Sequence, residues 1–312
     1  MNLVSKILYR IKLRRYKLNS WGYLTTLLKL KNPNDISINK NQINFKKLEL
    51  IIDKDKFTYF LAAYEHALLL NKQEKVSFKV VKNKLYICID NLKFEIQTSE
   101  EVFILREIFV ECVYNFNTTK PVEDYVVIDI GMNVAIASCY FASKKNISKV
   151  ISFEPFKPTY NQALTNISLN QLEKKIEAHN FGLGGHDEVL EVEYSPEFRG
   201  QVGVHGTDSI KSQIKKTQKE KIEIKDASPV LEKVCLDNNN SRFILKIDCE
   251  GAEYELIKRV PVNLLQRTDI IMMEWHIKGP EEIENWLINL GFSFMSFNAT
   301  SKSIGMIYAI RN

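Results

Sequence analysis

Tyr125-Val-Val-Ile-Asp-Ile-Gly-Met-Asn133 is an apolar run that ends on an acid, a glycine and an asparagine, with a helical pattern directly behind it. A parallel strand covered on both faces shows itself as such a short Val/Ile run. A glycine at its carboxyl end lets the backbone approach a ligand with no Cβ in the way. Val150-Ile-Ser-Phe153 repeats the pattern and ends on Glu154-Pro155. It follows by about 20 residues, where a doubly wound α/β sheet sets an acid against a ribose diol. Two strand ends therefore converge on one nucleoside.

The glycine pattern narrows the choice of nucleoside. A dinucleotide fold uses G-x-G-x-x-G, its second glycine admitting a pyrophosphate that the helix amino terminus neutralises. Here the loop reads Gly131-Met-Asn-Val-Ala-Ile136, with Asn133 in the place of the second glycine. That amide leaves little room for a pyrophosphate but can hydrogen-bond a small polar group. S-adenosylmethionine fits, since it carries an adenosine, a ribose diol and a charged amino-acid tail without a phosphate. A strand ending in D-x-G is a weak signal alone, and Glu154 at the next strand end strengthens it.

Phe243-Ile-Leu-Lys-Ile-Asp248 reads as another buried strand and ends in Cys249-Glu250-Gly251-Ala252-Glu253 before a helical pattern from Tyr254 to Val260. V-I-D-I-G-M-N, F-E-P at Phe153 to Pro155, Asn166 in the helix behind it, K-I-D-C-E-G-A-E at Lys246 to Glu253 and Glu274-Trp275-His276 together resemble the FkbM family of methyltransferases. The similarity spans roughly the last 200 residues, a length that suits one such domain. It implies a Rossmann-like class I methyltransferase sheet with an antiparallel strand at its edge, and transfer of a methyl group from S-adenosylmethionine to oxygen. One departure is Ala135, where the family pattern often has a third glycine; its methyl group is expected to cost packing room.

Composition is that of an ordinary globular protein: 312 residues, 45% hydrophobic and 26% charged. The net charge of +5 is uneven. Lys6, Arg10, Lys12, Arg14, Arg15, Lys17, Lys29 and Lys31 stand among residues 1–31 with no acid, which leaves −3 for the rest of the chain. The catalytic half is therefore not a basic nucleic-acid platform. The basic segment could dock an anionic membrane or a partner. Its drifting helical register favours packing on its own domain. Five cysteines, Cys88, Cys112, Cys139, Cys235 and Cys249, lack C-x-x-C spacing and suggest reduced thiols. With no secretory signal and no apolar run long enough to span a bilayer, the expected location is cytoplasmic. Oligomeric state is not legible.

Pro121 is expected to divide a small α+β domain, residues 1–120, from the methyltransferase-like domain, residues 121–312. In the first, a helix is expected from Lys54 to Leu70. A meander of three strands follows at Val76–Val80, Leu85–Ile89 and Leu92–Ile96, and then a helix from Glu100 to Tyr114 capped by Ser99. In the second, strands alternate with helices and end in a hairpin of 292–297 with 304–310, which predicts a largely parallel sheet. An insertion, Glu188 to Asp226, has a β-like run at Val189–Tyr194, helical periodicity only from about Ser209, and the length of a loop that covers an active site.

Methyl transfer from a sulfonium is a one-step displacement, so alignment matters more than a nucleophile. Asp129, Gly131 and Asn133 are expected to hold the amino-acid tail, Glu154 the ribose hydroxyls, and the turn at Phe181-Gly182 the adenine edge. An alcohol acceptor needs its proton removed. Asp248 and Glu250 leave one strand end, Glu274 and His276 the next, and His276 is the candidate proton acceptor. Glu253 is read as the opening acid of its helix, and His205 as a weaker candidate in the covering loop. The sequence requires no metal, although Asp248, Glu274 and Glu250 could hold one Mg²⁺ against a diol acceptor. The acceptor implied is a hydroxyl of a sugar, a glycan or another small polar natural product. Two rival readings are a non-catalytic nucleoside-binding module and an NAD(P) oxidoreductase. The second is disfavoured by Asn133.

Overall fold

The computed structural model describes residues 35–116, 124–194, 218–298 and 304–311. The basic segment 1–31, Pro121 and His205 lie outside them. The chain divides into two compact units between Val113 and Tyr114. Tyr114 belongs with the second because its ring packs on Phe141, 5.7 Å between centroids.

Among its described residues the first unit holds two three-stranded antiparallel sheets. One, β1 (Ile36–Ile38), β2 (Gln42–Phe45) and β3 (Leu50–Asp53), was not foreseen; its strands have only three or four residues, too few for alternation to stand out. The other is the expected meander, β4 (Val76–Val81), β5 (Lys84–Ile89) and β6 (Leu92–Ile96). Lys82 and Asn83 turn between its first two strands with φ of 48° and 61°, the left-handed pair that a tight hairpin needs. Helix α1 runs over Phe60–Leu70, six residues shorter than expected. The cause is local: Asp53 Oδ1 accepts the N–H groups of Asp55 and Lys56 and turns the chain there instead. Helix α2, Ser99–Phe109, is preceded by Thr98 rather than capped by Ser99. Glu101 accepts the Gln97 N–H and the Thr98 hydroxyl at its start.

The second unit is built on a seven-stranded sheet. Its strands are β7 (Tyr125–Ile130), β8 (Ile147–Phe153), β9 (Ile176–His179), β13 (Arg242–Ile247), β14 (Thr268–His276), β15 (Phe292–Asn298) and β16 (Ile304–Arg311). The spatial order is β15-β16-β14-β13-β7-β8-β9. β14, β13, β7, β8 and β9 run parallel, and β16 runs antiparallel between β14 and β15. The antiparallel strand is thus one place in from the edge, which β15 forms. Order reverses beside β7, the switch point at which such sheets bind ligands. No helix among the described residues is long and apolar enough to cross a membrane.

Alternation decides the two faces. Val126, Ile128, Ile130, Leu245, Ile247, Met273 and Trp275 bury against α5 (Ala227–Asp237), α6 (Glu253–Leu256), α7 (Val262–Gln266) and α8 (Glu281–Asn289). The opposite face carries Asp129, Ser152 and Lys246, on which α3 (Ile136–Ala142) lies through Ser138. Helix α4 is Lys157–Leu169.

The insertion contributes a third element. β10 (Gly182–Gly184) pairs in parallel with β12 (Gln218–Asp226), and β11 (Glu188–Tyr194) pairs antiparallel with β12. β12 and α5 were missed. In β12 the apolar residues at period two are confined to Ile222 and Ile224, set among charges. Asp226 caps α5 by accepting the Ser228 N–H at 3.0 Å.

Candidate active site

Register puts the polar residues side by side. Asp129 pairs with Ser152 on one side and Lys246 on the other, and Ile247 with Met273. One residue further, Asp248 emerges beside Glu274, and His276 follows two residues on, facing the same way. The polypeptide between these strand ends is pulled tight. Asp248 N–H donates to the Ile130 carbonyl at 2.9 Å, and a Cβ on Gly131 would stand 1.7 Å from the Asp248 carbonyl oxygen. With φ of +84° as well, that position admits only glycine.

A cleft of about 730 Å³ opens at this edge. Gly131, Asn133, Glu154, Gly182, Asp248 and Glu250 line it, and Ile222 and Ile224 of β12 form one wall. A Cβ on Gly182 would meet the tip of the Ile224 side chain at 2.6 Å, so a larger residue there would push that wall into the cleft. Glu154 is 8% exposed. Its carboxylate accepts the N–H groups of Asn133 and Phe156, both at 2.9 Å. Burial pushes its pKa up to about 7 against those two hydrogen bonds. Glu154 therefore clamps the first loop to the second while presenting an oxygen-rich edge to the cleft.

Other expected cofactor residues are placed differently. Asp129 is fully buried behind the loop and is not among the residues lining the cleft. One oxygen is 3.0 Å from Lys246 Nζ and the other accepts the Ser138 hydroxyl at 2.6 Å. It supports the loop from behind instead of facing a ligand. Lys246 was overlooked, although a lysine inside an apolar strand run is itself the signal of a buried partner. Burial would lower its pKa, but Asp129 and Asp248 outweigh it and hold the ammonium charged. The Asn133 amide oxygen is taken by the Val134 N–H at 2.7 Å. Phe181 packs between Phe153 and the Lys225 ammonium rather than on the cleft, leaving Gly182 as the lining residue of that turn. Asn166, fully buried, donates to the Val134 carbonyl at 2.9 Å and fixes the same loop. Ala135, also fully buried, sits at φ +63°, so its departure from glycine strains the backbone more than the packing.

At the other end Asp248, Glu274 and His276 offer one ligand atom each within 4.8 Å of one another. His276 is 6% exposed, and its Nδ1 is 2.7 Å from Glu253 Oε1. Its Nε2 faces Glu250 at 3.7 Å and Glu274 at 4.0 Å. Burial opposes the imidazolium, yet Glu253 first and then Glu250 and Asp248 raise its pKa to about 9. Glu253 is fully buried and accepts the Gly251 N–H as well, so it orients the histidine as well as opening a helix. Directly after His276, Ile277 takes φ +70° and the Lys278 N–H returns to the His276 carbonyl at 2.8 Å. A β-branched residue in that region is strained, and such strain gathers at functional edges. Tyr254 Oη secures the turn against the His276 and Gly279 carbonyls.

Comparison with known proteins bears on the same region. A family model described as the methyltransferase FkbM domain matches residues 129–294. Methyltransferase sdnD of Sordaria araneosa is 26% identical over 221 residues, 64% of this chain and 85% of that protein. Methyltransferase 1 of Beauveria bassiana is 26% identical over 187 residues, 56% of this chain and 73% of that one. Hexuronic acid methyltransferase AglP of Haloferax volcanii is 24% identical over 185 residues, covering 59% and 70% respectively.

Proposed function

Because the chain belongs to the FkbM methyltransferase family, we propose that it transfers the methyl group of S-adenosylmethionine to a hydroxyl of a sugar, a glycan or another small polar natural product. The observation that supports this most is one polar cleft, lined by a nearly buried acid, Glu154, at one strand end and by Asp248 and Glu250 two strands away, with Glu274 and His276 next to Asp248 on the strand beyond. In this reading Glu154 takes the ribose hydroxyls, Gly182 borders the adenine, and the Gly131–Asn133 backbone receives the amino-acid tail. The methyl then points toward Asp248.

The acceptor oxygen attacks the methyl carbon as the carbon–sulfur bond breaks. The bonding pair stays on sulfur, and neutral S-adenosylhomocysteine leaves. The hydroxyl proton must depart, and the acid–histidine group is where it is received. Alignment supplies the remainder of the rate. The Haloferax relative, by its description a methyltransferase of hexuronic acid, favours an oxygen-rich acceptor. A cytoplasmic setting belongs to the same proposal.

The test is direct. S-adenosylhomocysteine should bind the purified protein by calorimetry, and labelled methyl should pass from S-adenosylmethionine to uronic acids or hydroxylated glycosides. Binding of NAD in place of S-adenosylhomocysteine would remove the reading.

A further inference from the structure

We propose that Asp248, Glu274 and His276 form a site for one divalent transition-metal ion of the manganese class, which holds two adjacent oxygens of the acceptor. Among the described residues, this is the one group of three His, Cys, Asp or Glu side chains with such spacing. Metal–ligand bonds of about 2.1 Å put opposite ligands of one ion about 4.2 Å apart. The separations within 4.8 Å close to that with small rotations of two carboxylates that are 28% and 31% exposed.

A second feature is independent of the acids. His276 is buried, and Glu253 holds its Nδ1 at 2.7 Å. A carboxylate on one ring nitrogen is the partner that fixes a metal-binding imidazole: the proton stays on Nδ1, and an ion that displaces the proton from Nε2 takes up its lone pair. That lone pair points to the side where Glu250 and Glu274 stand.

The donor set chooses the ion. One imidazole and two carboxylates suit a borderline cation better than Mg²⁺ or Ca²⁺, which prefer oxygen alone. Three protein ligands on two strand ends would leave further positions of the ion free, and Asp248 sets them beside the cleft, where a diol or a hydroxy acid could chelate. Such an ion would draw the acceptor hydroxyl toward the methyl group and ease loss of its proton. It also offsets the acids that would otherwise repel a uronate-like acceptor. The acceptor half of this proposal rests on the methyltransferase reading; ion binding does not.

The test uses Mn²⁺ on chelator-stripped full-length protein, read by the loss of the free-ion paramagnetic resonance signal. One ion should bind per chain. Asp248→Asn and Glu274→Gln, both at part-exposed positions, should each weaken binding at least about tenfold, and Glu253→Gln by about 10- to 100-fold. Melting curves confirm that the variants are folded. Absence of Mn²⁺ binding, or binding indifferent to both ligand substitutions, overturns the site. If S-adenosylhomocysteine still binds in that case, the methyltransferase reading survives. Methyl transfer that persists in excess chelator overturns the acceptor half alone.

Discussion

Lys246 donates to the carbonyl oxygen of Gly131 at 2.6 Å from the neighbouring strand. The same ammonium stands 3.0 Å from Asp129, which is fully buried. A charged pair beneath the sheet edge thus fixes the backbone of the loop that borders the cleft. Removing one member leaves the other's charge uncompensated in the interior, which costs far more than the net worth of the pair.

Lys246→Met should therefore destabilise the protein by about 3–5 kcal/mol. Lys246→Met combined with Asp129→Asn should recover a good part of that loss. Urea unfolding of the three variants measures it, and equal instability of the single and double variants would show that packing, not charge, is at stake.

Cofactor affinity should depend on pH through Glu154. Its pKa in the free protein lies at about 7. In the proposed role, ribose hydroxyls would donate to the ionised carboxylate and lower that value on binding, so binding would release protons below pH 7. Affinity for S-adenosylhomocysteine should then rise with pH up to about 7 and level off above it. Calorimetry of Glu154→Gln should give a weaker, flat profile. For folding the sign is opposite: the raised pKa contributes stability that is present below the unfolded value of 4.5 and lost as pH climbs through about 7.

Ala135→Gly should stabilise. A left-handed backbone costs an L-residue about 1–2 kcal/mol, and the extra freedom of glycine in the unfolded chain returns about 0.4–1 kcal/mol. The balance is a gain of about 0.5–1 kcal/mol, visible as a higher urea midpoint. A lower midpoint would mean that the buried methyl group contributes packing that outweighs the strain at φ +63°.

Glu253 and His276 should act as one unit in catalysis. Glu253→Gln and His276→Asn are each expected to lower kcat by about 10²- to 10⁴-fold with S-adenosylhomocysteine affinity kept, and the double variant should be little worse than either. Strictly multiplicative losses would refute the pairing seen at 2.7 Å.

The parallel sheet and its polar strand ends were legible because buried strands write continuous apolar runs, and Gly131, Glu154, Asp248 and His276 stand where those runs stop. What failed was inward-facing polarity. Asp129 reads identically whether it meets a ligand or a lysine one strand away, and only the register with Lys246 decides. Glu253 looked like a helix-opening acid since nothing local links it to a histidine 23 residues on. β12 hid in a charge-rich stretch where two isoleucines carry the whole alternation. The cap at Asp226, followed by Leu231, Val234 and Cys235 at helical spacing, was a readable sign of α5 that the charges before it obscured.

The antiparallel strand has a consequence for the order of events during synthesis. Glu274 and His276 lie on β14, whose outer edge is hydrogen-bonded by β16, with Trp275 opposite Gly305. β16 is the last of the seven strands to leave the ribosome, and it has to pair with both β14 and β15. Gly305 is what permits this, since a Cβ there would stand 2.5 Å from the Trp275 ring. Until that strand arrives, β14 is a terminal strand with unpaired backbone groups, the kind of open edge that recruits other chains. The strand that carries Glu274 and His276 is therefore among the last parts of the sheet to gain its outer partner, and a nascent chain halted before Ile304 would hold those residues on an open edge.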